Sequence, residues 1–125
     1  MSTNYYMLIK DKDFVNQYFS DEYELGNLPF AGYEIHIGKR SCGWKPLFEA
    51  HPLAYHSVEE MLEFIKKHKR KIKLYDEYHH PLSIRDLKEE LVDWEKDQEP
   101  RIIDLKDENY FYDKDGFEFC KGSFW

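Results

Sequence analysis

The chain is poor in the features that staple or anchor small proteins. Only two cysteines, Cys42 and Cys120, occur in 125 residues, far apart and without metal-ligand spacing. That argues against a disulfide framework or a zinc knuckle as the basis of the fold. No long apolar run is present, and the N-terminal stretch lacks an apolar h-region. The expectation is therefore no signal peptide, no membrane helix and a cytosolic setting. No internal repeat and no low-complexity tract is visible. Positive charge is in deficit, with a formal net charge of -7. Such a surface, taken whole, argues against free nucleic acid as a partner.

What is abundant is aromatic. Ten Tyr, nine Phe and three Trp bring the aromatic fraction to 18%, which implies a core built on rings or an aromatic binding face. The length suits a single domain, residues 1–125, able to bury a core without staples. One segment breaks the acidity. Phe64 to Lys73, "FIKKHKRKIK", holds six Lys or Arg and no acid. It reads as the solvated end of a helix or as a local contact for an anion or partner.

Local patterning predicts an α+β domain. "NYYMLIKD" from Asn4 reads as a strand. Asp11 to Ala31 is mixed and acidic, and closes on the loop punctuation "GNLPFAG". Tyr33 to Ile37 alternates, with Tyr33, Ile35 and Ile37 on one face and Glu34 and His36 on the other, as in a half-buried strand. "SCG" supplies a turn, with Gly43 permitting a positive φ, and Trp44 to Ala50 returns, its Pro46 implying an edge or a bulge. Ser57 with Glu60 makes a capping box, and Val58, Met61, Leu62 and Ile65 follow on one helical face. The basic residues then fall at the carbonyl end of that helix, where cations are favoured. "KIKLYDEY" is a strand with Ile72 and Leu74 inward, and "HHPL" turns the chain. Ser83 with Asp86 starts a second helix, carried by Ile84, Leu87, Leu91 and Trp94 to about Asp97. "NYFYDKDGFEFCKGSFW" reads as a closing hairpin about an Asp-Gly turn. The expected order is β-β-β-α-β-α-β-β, a mostly antiparallel sheet with two amphipathic helices on one face.

The busiest stretch is "IHIGKRSCGWKPLF", Ile35 to Phe48. A phosphate loop is excluded, since Gly32 precedes Gly38 by one residue too many, Arg40 stands where Ser or Thr belongs, and a strand follows. A nucleophile reading would pair Ser41 or Cys42 with His36 or His51 as base, and Lys39 and Arg40 would lower the Cys42 thiol. No G-x-S-x-G elbow supports it, and serine in a turn is explained by backbone hydrogen bonding. A metal reading would gather His36, His51, His56, His79 and His80, but no H-E-x-x-H or H-x-H spacing occurs. With Cys42 and Gly43 as the tip, His36 faces Glu49 as a carboxylate–imidazole couple. The plainer account is a strand, an exposed tip and a return strand. Gly38 marks a bulge or a close backbone approach. Lys39, Arg40, Ser41 and Trp44 then form a contact surface for a protein or an anionic, nucleotide-like ligand. The alternative is a small metal-dependent hydrolase or nuclease using His36, His51, Asp76 and Glu77.

"IHIGKRSCGW", "KLYDEYHHPLS" and the terminal "DGFEFCKGSFW" together resemble a group of small proteins encoded by tailed phages and prophages. His36, Ile37, Gly38, Lys39, Ser41, Gly43, Trp44, His51, Asp76, Glu77, Tyr78, Gly116, Glu118, Phe119 and Phe124 fit the pattern, over roughly Glu34 to Trp125. Two departures stand out. The group often carries a C-x-x-C-like pair before the motif, whereas "NQYFSDEYELGNLPFAG" has no cysteine. His79 and His80 stand where a turn glycine is usual. The resemblance implies a phage accessory gene rather than a mechanism. Combined with the acidic body and the tip, it gives the expectation of a non-enzymatic protein without cofactor. Such a protein would bind and modulate a host protein, for instance a defence protein, in the bacterial cytosol.

Overall fold

A computed structural model describes residues 2–19, 32–42, 44–94 and 108–122. Its spine is β1 (Ser2–Ile9), and the elements that follow are α1 (Lys12–Tyr18), β2 (Tyr33–Ser41), β3 (Trp44–Glu49), α2 (Val58–Lys67), β4 (Ile72–Asp76) and β5 (Pro81–Leu82). Next comes α3 (Ile84–Leu87), which runs directly into a π-helical turn, Lys88–Val92, and the chain closes with β6 (Tyr110–Tyr112) and β7 (Glu118–Cys120). Among the described residues the strands form one seven-stranded sheet, ordered β5-β4-β1-β2-β3-β7-β6. Every pairing is antiparallel except β3 with β7. The α+β class and the mostly antiparallel sheet are as expected. Among the described residues, no helix is long and apolar enough to cross a membrane.

The expected element order needs correction at two places. A helix, α1, precedes β2. Asp11 caps it by accepting from Phe14 N, and Phe14 and Val15 are buried beneath it. Seven residues are too few to display a helical period, so burial rather than pattern selects the conformation. The second addition is β5, two residues at an edge, where the chain briefly pairs with β4 at Leu74 and Tyr75.

Other elements follow the pattern closely. Ser57 accepts from Glu60 N, while the Glu60 carboxylate reaches back to His56 N. The box is thus displaced by one residue from the expected reciprocal pair. Val58, Met61, Phe64 and Ile65 are buried, and Lys66 and Lys67 sit in the last turn; Leu62 is half-buried. Ser83 and Asp86 form the full reciprocal box. The second helix reaches Val92 through its π-turn, and its expected end near Asp97 lies outside the described residues. The closing hairpin is present, but its loop spans 113–117. Asp113 organises it, its Oδ1 accepting from Asp115 N and Phe117 N, and Gly116 takes a φ of 86°.

Helices and strands meet in one cluster on one face of the sheet, with Tyr5, Met7, Ile9, Ile35, Ile37 and Phe48 facing Val15, Met61, Ile65, Leu87 and Leu91. Each such side chain contributes roughly 1.5–3 kcal/mol on burial. The alternate residues of β1 point the other way, where Tyr6, Leu8 and Tyr75 form a second buried cluster. Both faces of β1 are therefore dry, which explains its unbroken apolar run. This also corrects the half-buried reading of β2. His36 is fully buried on the second face, its ring 5.4 Å from that of Tyr6.

Candidate functional site

The β2–β3 hairpin is shaped by two irregularities. Tyr5 and Tyr6 of β1 pair with Gly38 and His36, so Ile37 is an extra residue in β2. Lys39 pairs with Leu47 and Ser41 with Trp44, so β3 carries the extra residue around Lys45 and Pro46. Bulges of this kind bend a strand and increase its twist. Pro46 therefore occupies a bulge in an interior strand, and the ladder to β7 begins beyond it at Leu47. Gly38 is where the backbones approach closely. A Cβ there would lie 2.6 Å from the Leu47 carbonyl oxygen.

The cationic tip is tied to the body rather than held out from it. Arg40 lies over the Trp94 ring at 4.4 Å, and its guanidinium donates to the Glu90 carbonyl at 3.1 Å. That carbonyl belongs to the π-turn, where a cation meets the negative end of the helix. The Trp94 indole N–H donates to the Ser41 carbonyl at 3.1 Å. Tyr5 completes the corner, its hydroxyl donating to the Glu90 carboxylate at 3.4 Å. Burial raises the Tyr5 phenol to about 12, so it stays a donor. Of the four expected tip residues, Lys39 and Ser41 are half-buried, Arg40 is committed to the brace, and Trp44 is 38% exposed. The indole that holds the tip to the body is Trp94, which the sequence marks only as part of a helix face, and Trp44 displays its ring. Cys42 beside it is an exposed thiol, and Cys120 a buried one. Gly43 lies outside the described residues.

Two of the expected histidines, His36 and His51, meet in a different place, under the hairpin. His36 Nδ1 lies 3.1 Å from the Glu49 carboxylate, and Nε2 lies 2.9 Å from Asn4 Oδ1. His51 donates from Nε2 to the His36 carbonyl at 2.8 Å, with the second Glu49 oxygen 3.5 Å away. All three are at most 6% exposed. Burial depresses both imidazoles below their ordinary value, against the pull of the Glu49 carboxylate, so both are neutral at pH 7. A neutral His36 donates from only one nitrogen, and the Asn4 amide turned over serves the other. The His36–Glu49 couple expected from the hairpin is therefore present, and His51 joins it.

Asp76 and Glu77 do not complete that cluster as ligands. The Asp76 carboxylate closes its own turn, accepting from Tyr78 N at 2.9 Å and His80 N at 3.0 Å, with His80 Nδ1 at 3.1 Å. Glu77 accepts from Asn4 N at 2.7 Å, and Asn4 in turn meets His36 through its side chain. His79 holds a φ of 63°, the left-handed region that glycine favours. Among the described residues, no group of three His, Cys, Asp or Glu is arranged to hold a metal ion. Chemically, the His36–Glu49–His51 group is a buried polar latch joining β1, β2, β3 and the turn after β3.

Protein-family models, curated proteins and solved structures give no match.

Two surface features stand apart from these groups or border them. A groove of about 300 Å³ opens next to the tip, lined by Lys45, Pro46, Val92, Trp94, Gly116 and Phe117 among others. The basic stripe lies elsewhere, at the end of α2 and on β4. There Lys66, Lys67, Lys69, Arg70, Lys71 and Lys73 are all exposed. Neither the groove nor the Arg40–Trp94 brace is visible as a motif, because each joins segments distant in sequence.

Proposed function

We propose that this chain is a non-enzymatic accessory protein of a phage or prophage that binds and modulates a host protein through the β2–β3 tip. The observation that carries the reading is Trp44, 38% exposed at the end of a hairpin whose neighbouring residues are locked to the body by Arg40 and Trp94. A large aromatic on a pre-organised tip loses little conformational freedom on binding, which favours an interface anchor. The groove lined by Lys45, Pro46, Trp94 and Phe117 offers a place for a partner's apolar side chain. The acidic body, at -7, steers toward a basic partner surface. The burial of His36, Glu49 and His51 supports a structural use of those residues over acid/base work on a substrate.

The test is affinity capture from bacterial host lysate with wild type, Trp44→Ala and Tyr78→Ala. Tyr78 is 57% exposed and lies on the β4–β5 turn, so it serves as a control for generic aromatic stickiness. One host protein retained by wild type and Tyr78→Ala, and reduced at least tenfold by Trp44→Ala, is the expected result. Retention of no protein above the matrix background, or equal retention by Trp44→Ala, refutes it.

A further inference from the structure

Beyond the tip, the basic stripe turns inward. A cleft of about 230 Å³ is lined by Leu8, Lys10, Asp11, Arg70, Lys71 and Lys73. Three segments deliver these groups. Lys10 and Asp11 follow β1, Arg70 and Lys71 lie between α2 and β4, and Lys73 stands on β4 opposite Leu8 of β1. Four cations thus face one buried leucine and one carboxylate on a protein that is acidic overall. The stripe is therefore more than the solvated end of α2, because half of its charges converge on a concavity.

We propose that this cleft binds the phosphate groups of a small phosphorylated ligand. Its volume falls below the roughly 300–1,000 Å³ of pockets that enclose a drug-sized molecule, so it suits a compact anionic head. The Arg70 guanidinium offers a planar fork to phosphate oxygens, and the lysines add point charges. Among the described residues, Arg70 and Lys73 make no ion pair. Lys71 is held by Asp11 at 2.8 Å, with side chains 50% and 39% exposed. An ion pair so open to water contributes little, and an arriving phosphate displaces Asp11 from Lys71. Asp11 is thus a built-in competitor for the site. It also caps α1 through Phe14 N, a duty that asparagine performs equally well.

The experiment uses the full chain at about 0.15 M salt, where charges beyond about 8 Å are screened. Inorganic pyrophosphate and a short single-stranded oligonucleotide are titrated separately by calorimetry. Pyrophosphate is expected to bind saturably. Arg70→Ala/Lys73→Ala is expected to weaken it at least tenfold, and Asp11→Asn to tighten it several-fold. Lys66→Ala/Lys67→Ala removes the same charge from outside the cleft and is expected to leave binding within twofold. Three results overturn the proposal. They are no saturable pyrophosphate binding at millimolar concentration, equal weakening by the two double variants, or binding of the oligonucleotide alone. The Trp44 capture experiment reports on a different surface, so the two readings stand or fall separately.

Discussion

Replacing Arg40 by alanine tests the brace on which the tip depends. Arg40 makes a charge-assisted hydrogen bond to the Glu90 carbonyl at 3.1 Å, and lies 4.4 Å from the Trp94 ring centroid. The first is worth about 1.5–3 kcal/mol, and the second about 0.5–1 kcal/mol at a half-exposed site. Holding the long side chain in place costs up to about 2 kcal/mol of rotamer freedom, which alanine does not lose. The two terms total about 2–4 kcal/mol, and subtracting most of the rotamer cost leaves an expected net destabilisation of about 0.5–2 kcal/mol, read as a shift of the urea unfolding midpoint at constant slope. Arg40→Lys keeps the charge and loses the fork, and should fall between alanine and wild type. A double-mutant cycle of Arg40→Ala with Trp94→Leu should return a coupling of about 0.5–1 kcal/mol. If Arg40→Ala changes stability by less than about 0.5 kcal/mol, or the cycle shows no coupling, the brace is only a proximity and the argument for a rigid tip collapses.

Three further outcomes follow from the geometry. Gly38→Ala places a methyl 2.6 Å from the Leu47 carbonyl, an atom that retreats only if β2 parts from β3. A loss of about 1–3 kcal/mol or more in urea unfolding is expected, and near-neutrality would contradict the close approach. His79→Gly relieves the left-handed φ of 63°, worth roughly 1–2 kcal/mol, and the freedom that glycine gains in the unfolded chain offsets part of this, so a net stabilisation of about 0.5–1 kcal/mol is expected; a lowered melting temperature would be the contrary result. His36 and His51 are both depressed from 6.5 by burial, so the unfolded chain takes up their protons first on acidification. Their contribution is complete above pH 6.5 and declines below it, by up to about 1.4 kcal/mol per pH unit for each histidine. Unfolding measured at pH 7.5 and 5.5 should show this loss, and His51→Gln should show a shallower one. Equal slopes in the two proteins would remove His51 from the account.

The parts of the fold legible in sequence are those set by near neighbours. Ile35 and Ile37 declared β2, Ser57 declared the start of α2, and the alternating rings on either side of Gly116 declared the closing hairpin. Gly38 was read as a bulge or a close approach, and it is the latter, with bulges on either side of it. The residues that resisted were governed by distant partners. His36 looked like the wet side of a strand, because alternation shows that a second face exists but not that it is covered. Arg40 looked exposed, because nothing local records that Trp94 returns to meet it. The hairpin pattern offers Glu49 only as a partner for His36, whereas in the structure its two oxygens lie between His36 and His51. The sequence-distant pairing of β3 with β7 left no local trace, since parallel strands share no turn.

That pairing bears on how the chain is made. Leu47, Phe48 and Glu49 of β3 align with Glu118, Phe119 and Cys120. While a ribosome is still translating, everything from β1 to the π-turn can assemble as five adjacent strands, but β3 then forms an open border beside Phe48. Border strands of this kind invite pairing with other chains. A nascent polypeptide stalled or cut before residue 118 is therefore the species most prone to edge-to-edge association, and arrival of the β6–β7 hairpin replaces the long border of β3 with the three-residue edge of β6.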